Sequence, residues 1–379
     1  MSFRKRETIG WIDFLRVFAA FLVVFSHNCD SFVASFDRDY STFLTGVLAG
    51  SLTRPCVPLF VMMTGVLLLP VKSTDLGAFY RKRIGRLIKP LVFWSLALPL
   101  AFWAYFSTAG ASTANPSIVA ADFNNAGLLN KLYTWIFNFN FDTTPLWYLY
   151  MLAGLYLVMP MLSAWLERAD KRDVRLVLKI WAGSLFLPYL NMLAPLMGYQ
   201  GNYGNMGLFG VCDWNVYGTF YYVSGFAGYL LLAYYLSRWP LNWSWSKTWA
   251  VCLPSFLVGY AMTAGGYVWF QEMFPGDYAY LEIVWLFCGI NVLMMTVPLF
   301  IVVQKWNPGP SPVMARLASL SFGVYLCHFV FVYIAFDWFN VSGLSPVVRI
   351  VCGVVVSTLL AVAVSFVFQK IRPLRQFIA

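Results

Sequence analysis

Residues that can carry acid–base chemistry lie close together near the start of the chain. Asp13 precedes Arg16 by three residues, and His27 follows Arg16 by eleven. At about 100° per residue, Arg16 and His27 project from one face of an α-helix, about 16 Å apart along its axis, and Asp13 can pair with Arg16. A buried histidine stays a neutral base, which is what a hydroxyl nucleophile needs for activation. The spacing predicts catalytic roles for His27, Arg16 and Asp13.

The same three residues also fit a structural interpretation. Asp13 and Arg16 can pair at the inner membrane interface with their polar ends in water, while His27 lies at the outer interface. Ionisable side chains inside a membrane helix are costly, however, and are functional candidates by default. The sequence leaves both interpretations open.

A second group of candidates is strongly basic. Five cations lie within residues 79–90, namely Arg81, Lys82, Arg83, Arg86 and Lys89. Arg83 and Arg86 are three residues apart and share a helix face. Planar guanidinium groups bind phosphate oxygens bidentately, which predicts Arg83 and Arg86 as cofactor-binding residues. The alternative is contact with anionic lipid headgroups, which such runs commonly make.

The second histidine, His328, also lies in an apolar segment with hydroxyl groups beside it. Ser321, Tyr325 and His328 occupy positions i, i+4 and i+7 of one helical stripe. They are further candidates for cofactor binding, and interhelical hydrogen bonding is the alternative. Because the chain has 2 histidines and 7 cysteines without CxxC spacing, we expect no metal site.

The chain that carries these candidates is too apolar for a water-soluble fold. It has 379 residues, 60% hydrophobic and 11% charged, with a mean hydropathy of +0.68; a soluble domain has about 25% charged residues. Continuous apolar runs favour helices over a barrel. The predicted fold is an all-α polytopic bundle of about ten transmembrane helices. Their predicted positions are 9–30, 44–70, 88–108, 145–166, 176–197, 215–237, 248–270, 281–303, 315–337 and 346–369.

Lysine and arginine are distributed unevenly between the loops. With the N-terminus in the cytoplasm, most of the 26 cations fall on the cytoplasmic side, including residues 4–6 at one end and Arg372 and Arg375 at the other. This asymmetry follows the positive-inside rule, and an even number of spans puts both termini in the cytoplasm. The net charge of +10 then reflects membrane orientation, so no nucleic-acid partner is expected.

The remaining sequence indicates one membrane-embedded domain over residues 1–379, without an appended soluble domain. The outer loops carry most of the acidic residues, among them Asp30, Asp142 and Asp213. The longest outer loop, about residues 109–144, is rich in Asn, Thr and Ser and is long enough to cover a binding cleft.

Taken in chain order, the motifs resemble the acyltransferase-3 family of integral membrane acyltransferases over nearly the whole chain. The motifs are Ile12-Asp13-Phe14-Leu15-Arg16 with His27, Val57-Pro58-Leu59-Phe60 with Thr64-Gly65, Arg83 with Arg86, Leu146-Trp147-Tyr148-Leu149, and Ser321-Phe322-Gly323-Val324-Tyr325-Leu326-Cys327-His328. Two positions differ from the usual family pattern. Pro145 stands where many members have a histidine, and Thr64-Gly65-Val66 replaces a more usual Ser-Gly-aromatic segment.

This resemblance implies an acyl-CoA-dependent O-acyltransferase, most commonly an O-acetyltransferase, of the small single-domain type. The implied donor is acetyl-CoA or another acyl-CoA, and the implied acceptor is a hydroxyl of a cell-envelope polysaccharide or lipid-linked sugar. The implied location is the bacterial cytoplasmic (inner) membrane, among membrane lipids. Association into a homo-oligomer is left open.

The resemblance also assigns residues. His27 matches the essential histidine of the family, and Arg16 matches its partner arginine. Arg83 and Arg86 match the arginines that are associated with the donor. The segment that contains Ser321, Tyr325 and His328 matches a motif whose role is less defined.

A transporter or flippase for a glycosylated or anionic substrate is the alternative. Broken helices and buried charge fit such a protein too, and Arg54, Pro55 and Pro58 predict a break in the second span. Transporters often have duplicated halves, however, and no repeat is visible. A third interpretation is a sensor or partner subunit without catalytic activity. The position of both histidines within membrane spans argues against it.

Overall fold

The computed structural model describes residues 9–73, 75–108, 115–137, 139–198, 207–212, 215–340 and 343–378. Throughout these ranges the backbone forms helices and loops, apart from an isolated antiparallel bridge between Cys212 and Asn215. The predicted all-α class is therefore confirmed for the described residues. The basic residues 4–6 and Asp213 lie outside them, and the location of both termini in the cytoplasm stays a prediction.

Fifteen α-helices follow one another in this described part. They are α1 Gly10–Val33, α2 Tyr40–Leu52, α3 Cys56–Leu68, α4 Leu76–Thr108, α5 Asn125–Thr134, α6 Trp147–Leu166, α7 Lys171–Ser184, α8 Leu187–Leu193, α9 Ala227–Arg238, α10 Trp245–Met273, α11 Tyr278–Trp285, α12 Ile290–Trp306, α13 Pro312–Asn340, α14 Pro346–Lys370 and α15 Arg372–Arg375. The same residues include six short 3-10 helices, at Ala120–Phe123, Trp135–Phe137, Phe141–Leu146, Ala194–Met197, Leu208–Gly210 and Gly218–Phe220.

Nine segments of the described chain are long and apolar enough to cross a membrane. The predicted break in the second span is present, because α2 ends at Leu52 and α3 begins at Cys56. The predicted span at 215–237 differs from the structure, in which the α-helix of this segment, α9, begins only at Ala227 and is 12 residues long. Gly218 and Gly225 adopt positive φ angles of 47° and 80°, a backbone conformation that ends a right-handed helix.

The helices form two compact units, and the first contains α1, α2, α4, α5, α13, α14 and α15. Within it, α1 packs against α2, α13 and α14, and α13 packs along α14. One apolar core of this unit consists of Cys29, Phe32, Phe336, Ile350 and Val354. A second core contains Phe102, Phe123, Phe329 and Tyr333. The interpretation of the chain as one domain stays a prediction.

Small residues let α1 approach its neighbours closely. A Cβ added to Gly46 of α2 would lie 2.7 Å from the backbone nitrogen of Val33, and one added to Gly353 of α14 would lie 2.7 Å from Oδ1 of Asn28. The buried Asn28 amide also donates to the Ser357 hydroxyl at 2.9 Å. Because lipid supplies no hydrophobic force between membrane helices, small residues and hydrogen bonds of this kind hold them together.

An aspartate cap fixes the start of α2. The Asp39 carboxylate accepts hydrogen bonds from the Thr42 hydroxyl and, at 3.0 Å, from the backbone N–H of Ser41. These hydrogen bonds lower the pKa of Asp39 below its ordinary value. The cap satisfies a backbone donor that the first turn of a helix leaves without a partner.

The second unit comprises residues 54–72 and 158–307, in which α3 packs against α9 and α10 against α12. Asn291 of α12 is fully buried. Its amide group donates to the Thr263 hydroxyl at 2.8 Å, and its carbonyl group accepts from the Tyr189 hydroxyl at 2.7 Å. A buried amide that is bonded on both sides fixes the helices around it.

We expect Gly46→Ala to destabilise the protein, because the new methyl group would overlap the backbone of α1 at Val33. Overpacking of this kind costs about 1–3 kcal/mol. Thermal unfolding of the purified protein in detergent measures the change. Gly154→Ala on α6 is the matched control, since nothing lies within 4 Å of the added atom and helix propensity favours alanine by up to about 1 kcal/mol. An unchanged melting temperature for Gly46→Ala would contradict the close approach of α1 and α2.

Candidate active site

Helix α1 carries all three residues that the sequence predicts to be catalytic. Asp13, Arg16 and His27 lie on its continuous run Gly10–Val33. Arg16 Nη1 lies 3.6 Å from Asp13 Oδ1, so the predicted pair is present. Eleven residues of helix, about 16 Å along the axis, separate Arg16 from His27.

His27 has a partner that the sequence argument did not assign. Its Nδ1 lies 2.7 Å from Oδ2 of Asp30, one helical turn further on. A carboxylate accepts hydrogen bonds, so Nδ1 carries a proton, and Nε2 is the nitrogen that can act as the base when the ring is neutral. The i, i+3 spacing of His27 and Asp30 is compatible with such a contact on one helix, but the sequence analysis places Asp30 among the acidic residues of the outer loops.

His328 of α13 lies directly beside His27. The two ring centroids are 5.3 Å apart, and the Phe329 ring lies 5.0 Å from His27 in an edge-on arrangement. His328 is fully buried, and its Nδ1 lies 2.7 Å from the Tyr325 carbonyl oxygen, to which it must donate. Its Nε2 has no hydrogen-bond partner among the described residues. The structure therefore brings the two histidines of the sequence together as neighbouring bases.

The other two members of the α13 stripe have hydroxyl groups bonded to backbone carbonyls. The Tyr325 hydroxyl donates to the Pro145 carbonyl oxygen, and its ring lies 5.6 Å from that of Tyr148. The Ser321 hydroxyl donates to the Ala318 carbonyl oxygen of its own helix at 2.8 Å. Tyr325 thus connects α13 to the 3-10 helix that precedes α6.

An aromatic cluster surrounds Phe329. The ring of Phe329 lies 5.8 Å from Phe102 of α4, 5.6 Å from Phe141 and 5.1 Å from Tyr333. Phe123 joins this cluster at 5.9 Å from Phe102. We call these five rings the aromatic wall; it forms an apolar boundary next to His27.

The structure does not bring Arg83 and Arg86 next to the histidines. Both lie in the first part of α4, where Arg83 is half-buried and Arg86 is exposed. Arg86 precedes Phe102, a member of the aromatic wall, by sixteen residues, about 24 Å along α4. The basic segment and the histidine pair are therefore two separate sites joined by one helix.

A buried ion pair lies near the aromatic wall. Lys131 Nζ lies 2.8 and 3.0 Å from the two carboxylate oxygens of Asp142, and it stacks 4.2 Å from the centroid of the Phe123 ring. The Asp142 residue is fully buried. The pair joins α5 to the 3-10 helix that precedes α6, and apart from the two charges no pattern in the sequence predicts it. Across the described residues, no three His, Cys, Asp or Glu side chains are placed to hold a metal ion.

Comparison with known proteins identifies a family for this chain. A family model described as an acyltransferase domain, that of the acyltransferase-3 family, matches residues 9–366. Because this match covers nearly the whole chain, the protein belongs to the acyltransferase-3 family. No curated protein and no solved structure matches the chain. The protein is thus an integral multi-pass membrane protein and a membrane-bound acyltransferase.

We expect Lys131→Met to destabilise the protein, because it leaves the Asp142 carboxylate buried without its cation. Breaking a buried pair on one side costs about 3–5 kcal/mol. Thermal unfolding in detergent measures the loss. The double variant Lys131→Met/Asp142→Asn also removes the unpaired negative charge and should recover much of the lost stability. A double variant as unstable as the single one would contradict the buried pair.

Proposed function

We propose that this membrane-bound acyltransferase transfers an acyl group, most commonly acetyl, from acyl-CoA to a hydroxyl of a cell-envelope polysaccharide or lipid-linked sugar in the bacterial cytoplasmic membrane. The observation that carries the proposal is the His27–Asp30 hydrogen bond of 2.7 Å beside the buried His328. This arrangement supplies a base of defined tautomer in a family whose members are acyltransferases.

The proposed reaction is a direct transfer. Nε2 of His27 takes the proton of the acceptor hydroxyl while its oxygen attacks the thioester carbonyl carbon. The tetrahedral intermediate expels the coenzyme A thiolate, which takes the proton back from the imidazolium. The C–S bond is replaced by a C–O bond, and the products are the ester and free coenzyme A. The alternative is a double displacement, in which Nε2 of His27 attacks the thioester carbon and expels the thiolate, and the acceptor hydroxyl then attacks the acyl-imidazole and displaces the imidazole.

Asp30 acts as a positioning residue in this scheme. Its carboxylate holds the proton on Nδ1 and stabilises the imidazolium that forms when Nε2 accepts the acceptor proton. His328 was grouped with the cofactor-binding residues on sequence grounds. Since its ring adjoins His27, the proposal puts it beside the reacting atoms.

The donor enters from the cytoplasmic side in this proposal. Arg83 and Arg86 bind the phosphates of coenzyme A. Arg16 lies about 16 Å along α1 from His27, too far for a guanidinium group to contact an oxyanion at the imidazole. We therefore assign Arg16, held by Asp13, to the path of the donor.

We expect His27→Ala to lower the kcat of acyl transfer by about 10²–10⁴-fold, because general-base catalysis contributes that much. Asp30→Asn retains a hydrogen-bonding group but loses the charge that holds the proton on Nδ1, and should lower kcat by up to about 10⁴-fold. Transfer of radiolabelled acetyl from acetyl-CoA to envelope glycan by the purified protein measures both. Asp37→Asn is the control, since Asp37 is exposed in the turn after α1. Wild-type rates for His27→Ala would rule out the mechanism.

We expect the double variant Arg83→Ala/Arg86→Ala to raise the KM for acetyl-CoA at least about tenfold, since a hydrogen bond to a charged group contributes about 1.5–3 kcal/mol. Its kcat at saturating donor should change little. The matched control is Arg81→Ala/Lys82→Ala, which removes two exposed charges from the same segment. An unchanged KM in the first variant, or an equal rise in the control, would reject the assignment.

A further inference from the structure

A cavity of about 590 Å³ opens in the segment between α4 and α6, in the region that the sequence assigns to the longest outer loop. Its lining combines amide side chains, aromatic rings and one exposed carboxylate, among them Asp122, Asn124, Asn130, Phe123, Phe139 and Phe141. We call it the outer-loop cavity. Its volume is that of a pocket for a small organic ligand.

The charges of the outer-loop cavity do not suit an anionic ligand. Lys131 is the one cation among its described lining residues, and its ammonium group is held between the two carboxylate oxygens of Asp142. It is therefore already neutralised within the protein. Asp122 is exposed on the wall and would repel a carboxylate or phosphate.

The remaining groups suit a ligand that carries many hydroxyl groups. The Asn130 amide on α5 is exposed. Asn124 uses its carbonyl oxygen to cap α5 by accepting from the Gly127 N–H at 2.7 Å, which leaves its amino group for a ligand. An amide donates and accepts, as a sugar hydroxyl does. The Phe139 ring, 52% exposed, offers a flat apolar face that can cover the C–H face of a pyranose.

The cavity adjoins the candidate active site through the aromatic wall. Phe123 and Phe141 belong both to the cavity lining and to this wall. The ring centroid of Phe141 lies 5.6 Å from that of Phe329, which in turn lies 5.0 Å from that of His27. The cavity lining is therefore two ring contacts from His27.

We propose that the outer-loop cavity is an acceptor subsite, which binds an uncharged part of the glycan next to the unit that is acylated. This inference rests on the proposed acyl transfer to a glycan, and it adds a preference for neutral over acidic acceptor segments. It assigns Asn130, Asp122 and Phe139 to acceptor selection, with no part in the chemistry.

The test uses the full-length protein in nanodiscs and oligosaccharides released from the envelope polysaccharides of its native host, separated into neutral and acidic pools by anion exchange. Binding of each pool is measured by saturation-transfer NMR without any acyl donor, and acyl transfer is measured separately with radiolabelled acetyl-CoA. Two variants alter the cavity: Ala126→Trp fills it from its wall, and Asn130→Ala removes an amide. Thr134→Ala is the matched control on α5, since its hydroxyl bonds to the Asn130 carbonyl of its own helix.

The wild-type protein should bind the neutral pool at least fivefold more tightly than the acidic pool. Ala126→Trp and Asn130→Ala should each weaken binding of the neutral pool at least fivefold and raise the KM for that acceptor. The KM for acetyl-CoA should not change in either variant, and Thr134→Ala should behave like the wild-type protein. Equal binding by variants and wild type, stronger binding of the acidic pool, or no binding of either pool would overturn the subsite. If the wild-type protein binds the neutral pool and the variants weaken this binding, but the wild-type protein transfers no acetyl group, the result would support the subsite and reject the proposed function.

Discussion

A polar side chain inside a lipid-embedded helix bundle has no water to bond, so its partner must come from the protein itself. The histidine pair depends on this constraint. Nδ1 of His27 bonds to Asp30 and Nδ1 of His328 to the Tyr325 carbonyl, each one turn away on its own helix. Because both acceptors take a hydrogen bond from Nδ1, Nε2 is in each ring the nitrogen that can act as a base.

The contact between the two imidazoles depends in turn on how closely α1 lies against its neighbours. Gly46 and Gly353 allow the backbones of α2 and α14 to approach α1, and Asn28 and Ser357 hydrogen-bond across the α1–α14 interface. The hydrogen bonds that fix each ring are local to one helix, whereas the 5.3 Å between the rings is a property of the packing.

The separation of the two sites along α4 fits a reaction whose substrates come from opposite sides of a membrane. In the proposed scheme the phosphates of the donor bind near Arg83 and Arg86, the thioester extends toward His27, and the acceptor approaches from the outer-loop cavity. The aromatic wall then lies where the acyl group and the sugar meet, and it restricts the access of water to the base.

The sequence by itself determined the fold class, most of the helices, the break after α2 and the common helix of Asp13, Arg16 and His27, because apolar run length and helical periodicity are local properties. The sequence did not predict that residues 215–226 are not α-helical, where two glycines adopt positive φ. It also did not predict the role of Asp30. The roles of Arg83 and Arg86 stay predictions. Only the tertiary structure brought His328 next to His27. Helices that are distant in sequence meet through packing, and the periodicity of a single helix does not predict which other helix it packs against.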